Sequence, residues 1–304
     1  MRRENGRMNK RTPGENFFNV FNIIFMLLMC LVILFPYLNV FAVSLNDSAK
    51  AVASGLMLIP RSFTLANYKA LISNSDIWRS LLVTTGRIII GVSLQLFVTF
   101  TCAYALTRNK LPHRRALSLF FFIPSYISAG LIPLYILYSK IGLLNHPLVY
   151  VLPGAFSFFN FILCRTYITS IPESLDESAR LDGAGEFTVM TKIYLPLSLP
   201  IIATITLFGI VSHWNDWTTT LYFMTNNKWN TLAFELYRVL NEQSRLTALL
   251  QEAIKNGQIP KQSRSTSEGL RNAQIILTSL PIIMIYPFLQ KYFIKGMLIG
   301  GVKE

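Results

Sequence analysis

Apolar residues in this chain gather into long runs with few or no charges, separated by more polar segments. The first run, 17–44, follows the basic stretch 1–16. A secretory signal core has only about 7–15 apolar residues, so this run reads as an uncleaved transmembrane helix. Five more runs follow at 80–106, 116–139, 147–169, 196–224 and 273–293. Each reaches the ~20 residues that a helix needs to cross a bilayer core. Backbone groups find no water in lipid, so each run should be helical. The alternation of a β-barrel is missing. The expected fold class is all-α: a polytopic membrane protein with six transmembrane helices, divided into 1–16, 17–44, a core at 78–293 and a tail at 294–304.

Lys and Arg set the orientation, because short cytoplasmic loops carry the excess of them. The cluster Arg108, Lys110, Arg114 and Arg115 marks the inside. Segments 1–16, 107–115, 170–195 and 294–304 then face the cytoplasm, as do both termini, and the localisation expected is the plasma membrane. The segment 225–272 lies outside and is long for a connector. Within it, 231–254 has helical spacing of Leu232, Leu236, Val239, Leu240, Leu246, Leu249 and Leu250. Pro260 and the polar run Gln262–Ser267 should end that helix.

Composition agrees with lipid exposure. The chain is 52% hydrophobic and 14% charged, against about 25% charged in soluble domains. A net charge of +13 is dispersed between apolar runs, which excludes a nucleic-acid-binding domain. Cys30, Cys102 and Cys164 lie in apolar runs and form neither a disulfide framework nor a metal spacing. His113, His146 and His213 are scattered, so no metal site and no catalytic set is expected. Pro36, Pro124, Pro133, Pro153, Pro200, Pro281 and Pro287 fall within the runs, where a membrane bundle can tolerate kinks.

The segment 170–196 is the informative one. Ser170 and Glu173 have capping-box spacing, and Pro172 suits a first turn. Glu173, Asp176 and Glu177 place negative charge at a helix N-terminus. Asp176 and Arg180 form an i,i+4 pair, and Gly183 stands where a left-handed C-terminal cap falls. A second short helix, Glu186 to Tyr194, should stop before Pro196. Physics alone leaves two readings: a docking element, or an amphipathic connector lying on the membrane.

This segment resembles the EAA loop of ABC-importer permeases, with the pattern E-A-A, three residues, Gly, nine residues, I-x-L-P. Glu177-Ser178-Ala179, Gly183 and Ile193-Tyr194-Leu195-Pro196 stand at those positions, with Ser178 for the first Ala. The resemblance implies the type I ABC importer permease fold and a loop that fits a groove on an ATP-hydrolysing subunit. It implies that Glu177 faces polar groups there, Ala179 allows close approach and Gly183 forms the turn. Leu195 and Pro196 would anchor the loop to the fifth helix, and Ser178, Asp182 and Ile193 complete the docking set. The stretches Pro60–Tyr68, Ala103–Arg108, Trp214–Trp217 and Gln290–Lys303 are similar to carbohydrate importers of the maltose-permease type, most of all to the second permease subunit.

That resemblance implies import of sugars or oligosaccharides; the alternative is the same fold serving peptides or polyamines. It implies a second homologous permease subunit, two ATP-binding cassette subunits and an extracytoplasmic solute-binding protein, which the helical part of 225–272 would contact unless it merely packs on its own bundle. ATP and magnesium belong to the partner subunits. This chain has no GxxxxGK[ST] loop, so no ATPase site and no bound cofactor are expected of it.

Four residues are candidates for the substrate path. Arg87 is the single charge in the second run. Intramembrane charge marks a pathway or a buried contact, although Arg87 lies near enough to the outer end to snorkel. Beside Trp214, the residues Asn215, Asp216 and Trp217 combine aromatic faces with amide and carboxylate groups, which suits a sugar. The other reading is an interfacial aromatic belt with a polar helix contact.

Overall fold

A computed structural model of the chain describes residues 13–47, 58–108, 111–255 and 265–301. Helices dominate, and among the described residues the β-structure is one isolated antiparallel bridge, Asn46 with Phe63. The chain divides into two compact units: Met1–Leu71 with Lys261–Ile276, and Ile72–Pro260 with Leu277–Glu304.

In the first unit, α1 (Pro13–Ser44) covers the first predicted span. None of its most apolar window is buried, as expected of a helix that faces lipid. The chain then folds back to α2 (Ala66–Ile72). Asn67 Nδ2 donates to the carbonyls of Ser44 and Asn46 at 3.0 and 3.1 Å, and the hydroxyls of Ser44 and Tyr68 meet at 2.7 Å. The first of these satisfies a carbonyl that the end of α1 leaves open.

The second unit is built on α3 (Ser75–Thr107), which starts at an Asn74 cap whose side chain accepts from the Asp76 N–H. Helices α4 (Arg114–Ser125), α5 (Leu131–Lys140), α6 (Phe158–Thr169), α7 (Glu173–Leu181) and α8 (Glu186–Val189) follow. A π-helical turn, Met190–Tyr194, leads through α9 (Leu195–Leu197) into α10 (Leu199–Asn215), then α11 (Thr218–Phe223) and α12 (Leu232–Lys255). The last helix is α13 (Ser265–Gly301). α6 and α10 both pack along α3. Their shared core holds Phe100, Ala103, Tyr104, Phe161, Cys164 and Ile205.

Among the described residues, α1 and α3 are long and apolar enough to cross a membrane, and a third span results if the pair Glu186–Leu197 and Leu199–Asn215, bent by 76°, counts as one. Run 273–293 lies within α13, and the other three predicted runs are helical but divided. Run 116–139 breaks between α4 and α5, with Pro124 closing the first helix and Pro133 in the first turn of the second. Run 147–169 opens on a 3-10 turn, Pro147–Tyr150, before α6. Run 196–224 breaks at Asp216 and Trp217, between α10 and α11.

The helix predicted at 231–254 is present as α12. Pro260 lies outside the described residues, and the polar run Gln262–Ser267 is helical from Ser265 onward.

Candidate functional site

The segment between α6 and α10 forms a helix–turn–helix whose turn is set locally. α7 ends with Gly183 at φ +80. The Gly183 N–H donates to the Arg180 carbonyl and the Ala184 N–H to the Ala179 carbonyl, both at 3.0 Å. This is a Schellman cap, and glycine enters that left-handed conformation without steric cost. The capping box does not form. Ser170 ends α6, so its hydroxyl donates to the Tyr167 carbonyl, and Pro172 takes the N-cap position without a side-chain bond. Helix also continues past Pro196, contrary to the expected stop. The π turn before it opens the carbonyl column with which a proline ring would clash; the chain bends at Ser198 instead.

A charge network ties this segment to the end of α3. Asp176 is buried, and its Oδ2 accepts from Arg108 Nη1 at 2.8 Å and from Arg180 Nε at 3.2 Å. The latter is the i,i+4 pair read from the sequence. Arg180 Nη2 also donates to Glu186 Oε1 at 2.5 Å, and the Tyr104 hydroxyl donates to Glu186 Oε2 at 2.9 Å. The Arg108 guanidinium lies 4.1 Å over the Tyr104 ring and 4.6 Å over the Tyr194 ring, a cation–π contact on both sides. Partial burial raises the Glu186 pKa, but hydrogen bonds from Arg180 and Tyr104 outweigh it and hold the carboxyl below its ordinary range. Hydrogen bonds to Glu186 and then Asp176 push Arg180 upward.

Of the docking set, Glu177, Ser178, Asp182, Gly183, Leu195 and Pro196 are exposed, while Ala179 and Ile193 pack against the core. The buried residues of the second helix are Val189 and Tyr194. Sequence reasoning missed Arg108, Tyr104 and Glu186 as members of this site. In the sequence Arg108 marks the inside and closes the stretch Ala103–Arg108, but its partner Asp176 lies 68 positions away.

Within the apolar core, the candidate path residues are arranged differently from one another. Arg87 and Asp216 form an ion pair at 2.7 Å. Arg87 is 6% exposed, so it is buried in contact and does not snorkel. Its Nη1 donates to the Asp216 carbonyl at 3.2 Å, and its guanidinium lies 4.6 Å over the Tyr150 ring. Asp216 Oδ1 accepts from the Thr218 hydroxyl and the Thr219 N–H, which satisfies the start of α11. Asn215 is exposed and bonds its own helix at Val211. Trp217 stacks on Tyr237 of α12, with centroids 4.0 Å apart. Trp214 is buried and donates to the Thr278 carbonyl. The structure therefore joins Arg87 with Asp216 and leaves Asn215 and Trp217 on other contacts.

Comparison with known proteins accords with this geometry. Residues 5–299 match the family described as binding-protein-dependent transport system inner membrane component. Protein LplC of Bacillus subtilis strain 168 is 35% identical over 96% of this chain and 97% of its own length. A polygalacturonan/rhamnogalacturonan transport system permease protein of the same organism, YtcP, is 33% identical over 92% and 96%. A chain from the crystal structure of a bacterial ABC transporter that imports the acidic polysaccharide alginate superposes with a TM-score of 0.81 at 27% identity, covering 93% of this chain and 99% of that one. The chain belongs to the family of binding-protein-dependent transport system inner membrane components.

Proposed function

We propose that this chain is the transmembrane permease subunit of an ATP-driven importer for sugars or oligosaccharides. The observation that carries this reading is the free apolar face of the cytoplasmic helix–turn–helix: Leu181 is 89% exposed and Phe187 is 74% exposed, on a segment fixed from behind by Asp176 and Val189. Large apolar side chains held out from a rigid polar loop suit a partner's groove. In this reading the groove belongs to an ATP-binding cassette subunit, and Glu177, Ser178, Asp182 and Gly183 meet its polar rim.

Two such subunits bind and hydrolyse ATP with magnesium, and this chain contributes no ATPase site or cofactor. A second homologous permease subunit completes the pathway, and an extracytoplasmic solute-binding protein delivers the cargo. Both termini lie in the cytoplasm, and the chain resides in the plasma membrane. Arg108 then links the docked segment to α3, so movement below is passed to the bundle. The carbohydrate cargo named for similar proteins supports sugars over peptides or polyamines.

The test is uptake by the complex purified through this chain and reconstituted with its binding protein. Oligosaccharide uptake that needs ATP is expected. Uptake that persists without ATP and collapses with an ion gradient would overturn the reading, as would uptake confined to peptides or polyamines.

A further inference from the structure

A cavity of about 420 Å³ opens among α3, α6, α10 and the loop before α6. Pockets of several hundred Å³ are the size that holds small ligands. Phe156, Phe159 and Phe208 supply aromatic surface to it. Gln95 and Asn160 line it while only 8% and 5% exposed. The Gln95 Oε1 has no hydrogen-bond partner. A buried acceptor left open in this way is costly unless something fills it. Gly209 faces this amide: a Cβ there would stand 2.7 Å from Gln95 Oε1, so glycine preserves the space around the open group. His213 lines the same wall, and its Nδ1 lies 3.4 Å from Arg87 Nη2. The Arg87–Asp216 pair therefore sits behind the wall and fixes the ring, while its charges satisfy each other outside the cavity.

Among the described residues that line it there is no carboxylate, lysine or arginine. An anionic or cationic cargo group would meet no opposite charge from this chain there. Amides, hydroxyls and aromatic faces instead match a molecule with many hydroxyls and apolar ring faces.

We propose that this cavity is a contact site of this subunit for an uncharged sugar ring, with Gln95 and Asn160 hydrogen-bonding its hydroxyls and the phenylalanines covering its faces. The proposal rests on the importer reading above and differs from the acidic cargo named for two of the similar proteins. It places cargo recognition within this subunit and identifies the residues that set preference.

The test uses the reconstituted complex with its native partners and a panel of neutral and uronic di- and trisaccharides. Wild type should import neutral members with ATP. Gln95→Leu and Asn160→Leu should each lower that uptake about tenfold, the effect of a lost hydrogen bond. Assembly, and ATPase stimulation by loaded binding protein, should persist. Ser212→Leu fills the cavity from an exposed position and should cause the same loss, which keeps the test decisive if the buried variants fail to assemble. Uptake unchanged in the assembled variants would overturn the site, and uptake restricted to uronic members would overturn its preference. No ATP-driven saccharide uptake by wild type would instead defeat the importer reading.

Discussion

Arg108, the residue that closes α3, reaches across 68 positions to place its Nη1 2.8 Å from Asp176 Oδ2 in the helix–turn–helix. The side chains are 17% and 11% exposed, so the pair is substantially withdrawn from water. Through it, the helix–turn–helix is fastened to α3, the helix on which the second unit is built.

Removing one partner of a buried pair costs about 3–5 kcal/mol when the other charge is left uncompensated; here Arg180 still bonds Asp176 Oδ2 and Glu186 lies 3.8 Å from Arg108 Nε, so the loss is smaller. Asp176→Asn or Arg108→Gln should therefore loosen 173–189 and release the ATPase subunit, while α3 stays inserted. The double substitution should cost less than the sum of the two. Hydrogen exchange over 173–189, with co-purification of the ATPase subunit, measures both, and additive losses would show that the two residues do not interact.

Gly183→Val forces a β-branched residue into φ +80, a conformation that costs at least about 1–2 kcal/mol for such a side chain. Membrane insertion should be normal. Transport should fall at least tenfold, with ATP hydrolysis uncoupled or the ATPase subunit lost. Full transport with normal ATPase retention would rule out a mechanical role for the turn.

The Glu186 carboxyl is held below its ordinary range in the folded segment. A depressed carboxylate pKa stabilises above the unfolded value and loses that contribution as pH falls through the folded value. Docking of 173–189 should thus be independent of pH near neutrality and weaken in acid, below the usual carboxylate range. Glu186→Gln should flatten that profile in an amide-exchange titration. An acid response unchanged by the substitution would assign it to another group.

Single cysteines at Asn109 and Gly185 should be shielded from impermeant reagent in intact cells, and one at Pro260 should be labelled. Reversed labelling would invert the topology and remove the cytoplasmic docking role.

The features legible in the residues alone were local or lipid-driven. Long apolar runs marked α1 and α3, because lipid demands internally bonded backbone over some twenty residues. The spacing of Leu232 to Leu250 marked α12, and Gly183 marked the turn, since both depend on neighbours within a few residues. The breaks within the other runs were less legible: an apolar run records burial or lipid contact equally well and carries no signal for a bend such as the one at Ser198. Tertiary structure alone decided the pairings. Arg87 and Asp216 are 129 residues apart, and each appeared as an isolated intramembrane charge until packing of α3 against the end of α10 joined them. The same packing built the cavity around Gln95, whose neighbours come from three helices. Opposite charges attract at short range wherever the chain brings them, so their partners are set by which helices pack together, and no local pattern encodes that.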